Sequence, residues 1–124
     1  MHKTLWVLQW VFGVIFIASG IIHLALPDGL PAQMEWMYDL GEGLHYITGL
    51  AEILGGLGLI LPGLTKIRAE LTPLAASGLA MLMVGAAIWH MPRGEIQNSV
   101  QNLVFAAVMA YVAYARWKKE PLPG

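Results

Sequence analysis

Four apolar stretches almost free of formal charge constrain this chain more than any other feature of its sequence. From Leu5 to Leu26 the only titratable side chain is His23. At about 1.5 Å rise per residue, a helix over that stretch reaches roughly 30 Å, the thickness of a bilayer's hydrocarbon. The second stretch, His45 to Leu61, is shorter, contains Glu52 and stops before Pro62 and Gly63. A third, Pro73 to Met91, opens with a proline in its first turn, where the missing N–H is harmless, and ends before Pro92. The fourth, Ile96 to Tyr114, is followed by Arg116, Trp117, Lys118 and Lys119. Only 12% of the chain is charged and 57% is hydrophobic, whereas soluble domains carry roughly 25% charge. Lipid is the solvent that fits. The expected fold is all-α: one integral membrane domain over residues 1–124, a four-helix bundle with helices at about 5–26, 45–61, 73–91 and 96–114.

Lysine and arginine beside the spans set the expected orientation. Lys3, Lys66, Arg68, Arg116, Lys118 and Lys119 fall on one side, and Arg93 on the other. Both termini are therefore expected in the cytoplasm, with the acidic loop from Pro27 to Gly43 outside. Trp6, Trp10 and Trp117 then mark the inner interface, and Trp36, Trp89 and Tyr46 the outer one. The first stretch resembles a secretory signal in having Lys3 before an apolar core. That core exceeds the 7–15 residues usual for a cleaved signal, so an uncleaved helix is expected.

Small residues are dense where helices have to approach in lipid without a hydrophobic drive: Gly49, Gly55, Gly56 and Gly58 in the second span, Ala75, Ala76, Gly78, Ala80, Gly85, Ala86 and Ala87 in the third, and Gly13, Ala18, Ser19 and Gly20 in the first. In the outer loop Pro31 is placed to begin a short interfacial helix, with Met34, Met37 and Tyr38 recurring at three-to-four spacing. Such a segment either anchors the bundle at the surface or covers a ligand entrance.

Polar residues coincide in depth. His23, His45 and His90 lie near outer helix ends, and Asn98 and Asn102 in the first turns of the fourth span. Glu52 follows His45 by seven residues, on nearly the same helical face and about 10 Å deeper. A carboxyl inside a span has to face the bundle interior, pair, or take up a proton. Glu52 and His90 are the candidate catalytic residues, and His23, His45, Asn98 and Asn102 the candidate ligand-binding residues. Glu52 can alternatively act as a structural clamp bonded to Asn102 or Thr48. As metal donors the set lacks any HxxxH or HxxE spacing, and no metal site is expected. An imidazole and a buried acid against apolar walls suit a quinone carbonyl and its protons. They also suit another lipophilic ligand whose body lies among Met81, Met83, Phe105 and Met109, although methionines are also ordinary filler.

Several classes are excluded. With no cysteine there is no disulfide, thiolate metal site or thiol nucleophile, and electron chemistry has to use a borrowed cofactor. A net charge of −1 gives no footprint for nucleic acid. No GxGxxG, P-loop, HExxH, GxSxG or EF-hand pattern occurs.

The run Gly49-Leu50-Ala51-Glu52-Ile53-Leu54-Gly55-Gly56-Leu57-Gly58-Leu59 is followed by Pro62, Leu74-Ala75-Ala76, Gly78, Gly85-Ala86 leading to His90, and Arg93-Gly94-Glu95. Together these residues resemble the DoxX-like membrane proteins, from His23 to Arg116. The resemblance implies a four-helix bundle in the cytoplasmic membrane of a bacterium. It also implies, more loosely, kinship with the small subunit of thiosulfate:quinone oxidoreductase and with membrane partners of redox-defence complexes. On that basis the positions matching the family's acid and histidine are Glu52 and His90, with Asn102 a candidate neighbour. The leading expectation is a subunit that binds a quinone or similar lipophilic molecule and serves a redox partner protein. A structural or assembly subunit and a small proton-coupled transporter working as a homo-oligomer are the alternatives; no internal repeat supports the transporter.

Overall fold

Proline 62 falls where the second apolar stretch is expected to stop, yet the helix runs through it. In the computed structural model, which describes all residues 1–124, α2 spans Glu42–Thr65 and ends only where Lys66 adopts a left-handed backbone, φ 59°. An interior proline deprives the carbonyl one turn earlier of its N–H donor. Here that carbonyl belongs to Gly58, and the Thr72 hydroxyl of the next helix donates to it at 2.8 Å. The cost of the proline is met by a tertiary hydrogen bond, so the helix continues and the α2–α3 crossing is fixed at the same point.

The other long helices are α1 (His2–Ala25), α3 (Leu71–His90) and α4 (Ile96–Tyr114). Leu26 closes α1 in the left-handed region, one residue short of the expected boundary. Pro31 precedes a 3₁₀ segment, Ala32–Asp39, between α1 and α2. A 3₁₀ turn, Met91–Arg93, links α3 to α4, and α4 passes into a π-helical turn, Ala115–Lys119. No strand is present, so the chain is all-α. Three helices are long and apolar enough to cross a membrane: α1, α2, and α3 with its 3₁₀ turn.

Packing follows chain order. Helix α1 lies along α2, α2 along α3 and α3 along α4, while α1 and α4 scarcely touch. Glycine sets the α1–α2 distance. A Cβ on Gly20 would stand 2.5 Å from the Gly49 carbonyl oxygen, and one on Gly56 would stand 2.6 Å from that of Gly13. The seam between α2 and α3 is closed near the chain termini by Gly55 against Leu79 and Gly58 against Ala75. The glycines of the first two spans expected to mediate close approach are therefore occupied within the chain, whereas Gly78 and Gly85 of the third, expected to do the same, meet nothing within 4 Å. Where α1 and α4 do meet, Phe12 and Phe16 lie against Phe105 at 5.0 and 6.1 Å between ring centroids.

At the terminal end the charge count hides a buried group. Arg116, one of the residues expected at an aqueous interface, is only 2% exposed. Its Nε donates to Gln9 Oε1 at 2.7 Å, and Gln9 Nε2 donates to the Leu59 carbonyl at 2.7 Å. The guanidinium also reaches His2 Nδ1 at 3.0 Å and the Glu120 carbonyl at 2.9 Å, and it lies over the Trp6 ring. These acceptors join both ends of the chain to the middle of the bundle.

The backbone contacts make a direct expectation. Gly20→Ala or Gly56→Ala forces two backbones apart and lowers stability by about 1–3 kcal/mol. Gly78→Ala, where a Cβ would meet nothing within 4 Å, leaves it unchanged or slightly raised. Thermal unfolding of the three variants in mild detergent, followed by circular dichroism, checks the contrast.

Candidate functional site

Because α1 and α2 cross on glycine, the side chains beside those glycines are pressed together. Ser19 and His23, one turn apart on α1, face Glu52 and His45 on α2. The Ser19 hydroxyl donates to Glu52 Oε1 at 2.9 Å, and His23 Nε2 lies 3.7 Å from the same oxygen. Glu52 is 4% exposed, and His23, His45 and His90 are buried with it. Neither Asn102 nor Thr48, the expected partners, bonds to Glu52; Ser19 does. Ser19 stands out in the sequence only as a small residue, and its place one turn before His23 is the signal that would have marked it.

Hydrogen-bonding logic fixes the imidazoles. His45 Nε2 is 2.6 Å from the Met37 carbonyl oxygen, which can only accept, so Nε2 carries the hydrogen. In the neutral ring Nδ1 is then a lone pair, and it lies 2.9 Å from His23 Nδ1, which has to donate. His23 is left with a lone pair on Nε2, directed at Glu52. At 3.7 Å this lone pair makes no direct hydrogen bond with Glu52 Oε1, which accepts from Ser19 instead. The hydrogen-bonded series from Met37 through His45 thus ends at His23, beside the carboxyl.

These groups form part of the wall of a cavity of about 520 Å³, inside the roughly 300–1,000 Å³ range of small-molecule sites. Glu52, His23 and Ser19 line it, as do His90, Asn98 and Asn102, with Phe16, Met83 and Phe105 among its apolar walls. His45 does not reach the cavity and instead orients His23 from behind. Of the methionines expected beside a ligand, Met83 lines the wall, Met109 is enclosed in the core, and Met81 points outward at 75% exposure. The Asn102 amide nitrogen is buried without a hydrogen-bond partner. A buried donor left unpaired is costly, and this one belongs to a side chain of the cavity wall.

The 3₁₀ segment covers the cavity. Met34, Trp36, Met37 and Leu40 close it from above, whereas Tyr38 turns away and donates to the Pro27 carbonyl at 2.7 Å. Trp36, which the sequence marks only as an interfacial residue, lies between two histidines, 5.8 Å from the His23 ring and 4.5 Å edge-on from His90. A polar latch holds the segment in place. Arg93 Nη2 donates to Asp39 Oδ2 at 2.6 Å and Arg93 Nε to Glu95 Oε1 at 2.9 Å. The guanidinium lies over Trp89, and His90 Nδ1 is 2.8 Å from Glu95 Oε1. Arg93, with the His90 imidazole behind it, holds the Glu95 carboxyl below the usual carboxylate range against a smaller effect of burial. No group of three or more histidine, aspartate and glutamate side chains is placed to hold a metal ion.

Apolar helices of spanning length around a chamber with acid, imidazole and amide groups in its wall define a small helical membrane protein with an internal cavity. The DoxX-like family matches residues 7–112, and the chain belongs to that family. No curated protein and no solved structure matches it.

The latch carries a pH dependence. A depressed carboxyl stabilises the folded arrangement above its ordinary value, and the contribution is lost as pH falls through the depressed one. Acidification through that range, or Arg93→Ala at neutral pH, speeds hydrogen exchange of the amides in Ala32–Asp39 several-fold while the middle of α2 stays protected. Exchange mass spectrometry reads both effects.

Proposed function

We propose that this DoxX-like protein binds a quinone or similar lipophilic molecule in the chamber and serves as a membrane subunit for a redox partner. In this reading all four helices cross the cytoplasmic membrane of a bacterium, the termini are cytoplasmic and the 3₁₀ segment is external, as the distribution of lysine and arginine favours. The observation that carries the proposal is the presence, in one chamber, of an orphan amide donor at Asn102 and of the Glu52 carboxyl with the His23 imidazole 3.7 Å away. A quinone oxygen accepts from the amide. The carboxyl–imidazole pair gives or takes the proton that accompanies electron transfer to or from the ring. The chain has no cysteine of its own, so the electrons come from the partner.

Catalytic roles follow for Glu52, which exchanges the proton with the ligand, and for His90, whose ring lines the chamber and whose Nδ1 bonds to Glu95 at the rim. His23, Asn98 and Asn102 contribute ligand contacts, and His45 positions His23. The reading as an assembly subunit finds Gly13, Gly20, Gly49, Gly55, Gly56 and Gly58 filled from within the chain, and keeps only the exposed Gly78 and Gly85 of α3 as a glycine face for another helix.

Glu52→Gln keeps the size of the side chain and the Ser19 contact but cannot exchange a proton. It and His90→Ala are expected to weaken binding of a short-tailed ubiquinone analogue by roughly ten-fold or more, as loss of one or two hydrogen bonds to polar groups requires. Unfolding temperatures within a few degrees of the parent accompany the effect. Titration in nanodiscs measures the affinity; parental affinity in both variants removes the proposal, and a large loss of stability in Glu52→Gln with intact binding supports the clamp role instead.

A further inference from the structure

The chamber's ceiling and its sides differ in kind. From above, three separate interactions bind the 3₁₀ segment to the bundle: the His45 hydrogen bond to the Met37 carbonyl, the Asp39–Arg93–Glu95 ion pairs, and Trp36 against His23 and His90. Along the α2–α3 seam the closure stops partway. Near the chain termini Gly55 meets Leu79 and Gly58 meets Ala75; at the 3₁₀ end Gly85, where a Cβ would meet nothing within 4 Å, lines the chamber, as the equally open Gly78 does not. Leu44 and Ile47 on the α2 side of that gap line the chamber and are at the same time 48% and 65% exposed. Gly85 likewise both lines the chamber and lies at the surface. A side chain that touches both the interior and the surroundings marks an opening, and this rim is wholly apolar. At the α1–α4 seam Ile15 also lines the chamber at 38% exposure, but there Gln101 places an amide at the rim, and Phe12 and Phe16 meet Phe105 across it.

Building on the reading of the chamber as a ligand site, we infer that its ligands reach it sideways from the bilayer, through a window between α2 and α3 framed by Leu44, Ile47 and Gly85. The class of ligand is thereby restricted to molecules dissolved in the hydrocarbon of the leaflet at the 3₁₀ end. A water-soluble molecule would have to displace a covering segment held by charged and aromatic contacts, whereas a lipid-dissolved one meets an apolar gap already adjoining its solvent. Gly85 is the residue that keeps the gap open, because any larger side chain there projects into the free space.

The window is read without any assumption about the ligand. A protein with Trp36 as its sole tryptophan, the others replaced by phenylalanine, is reconstituted in vesicles of phosphatidylcholine carrying brominated acyl chains, which quench indole fluorescence on contact. Trp36 is quenched in the parent, Gly85→Phe reduces that quenching several-fold, and Gly78→Phe, seven residues toward the termini on the same helix, leaves it unchanged. Equal quenching in the parent and Gly85→Phe overturns the inference, as does an unquenched parent or a reduction produced by Ile15→Phe at the other seam instead. Because no quinone is present, a window that behaves as described alongside failed quinone binding removes only the choice of ligand.

Discussion

Close contact between the backbones of α1 and α2 is the constraint from which the site follows. In lipid there is no hydrophobic force to draw helices together, so dispersion contact at short range has to serve. Gly13 and Gly20 on one helix and Gly49 and Gly56 on the other remove the side chains that would hold the axes apart. At that separation Ser19 reaches Glu52, and His23 reaches both His45 and the carboxyl. The polar cluster is thus a by-product of glycine geometry: the same turns that carry no side chain determine which side chains lie one residue away.

A carboxyl in a membrane span needs partners that water would otherwise supply. Here Ser19 donates to Glu52, and beside it an ordered series runs from the Met37 carbonyl through His45 to His23, each group fixing the hydrogen position of the next. Met37 belongs to the covering segment, so the position of the cover is tied by hydrogen bonds to the imidazole that lies 3.7 Å from the buried acid. His90, on α3, makes a parallel connection through Glu95 and Arg93 to Asp39. The chamber is therefore tied to its cover on two sides, and the two ties use different chemistry.

Much of this was legible in the sequence because it rests on periodicity and composition. Four apolar runs gave the long helices, and the seven-residue interval from His45 to Glu52 correctly placed both on one face of α2. The depth coincidence of His23, His90, Asn98 and Asn102 identified side chains that line one cavity. What escaped depends on pairings between helices. Nothing in the string Gly58-Leu59-Ile60-Leu61-Pro62 discloses that Thr72 will supply the hydrogen bond the proline removes, so α2 appeared to end early. Arg116 was counted as an interfacial cation because its acceptors, Gln9 and His2, are more than a hundred residues away. Met81 and Met83 look alike in sequence, yet two residues of helix separate the lipid-facing surface from the cavity wall.

Arg116 also determines how the bundle can deform. By binding Gln9, His2 and the Glu120 carbonyl it staples both ends of the chain across the base of the structure, while farther along the axis α1 and α4 have little to hold them together. At the opposite end Asp39 and Arg93 join the turn of one helical hairpin to that of the other. A bundle pinned at both extremities yields most between them, so the cavity's side can breathe without exposing the buried guanidinium.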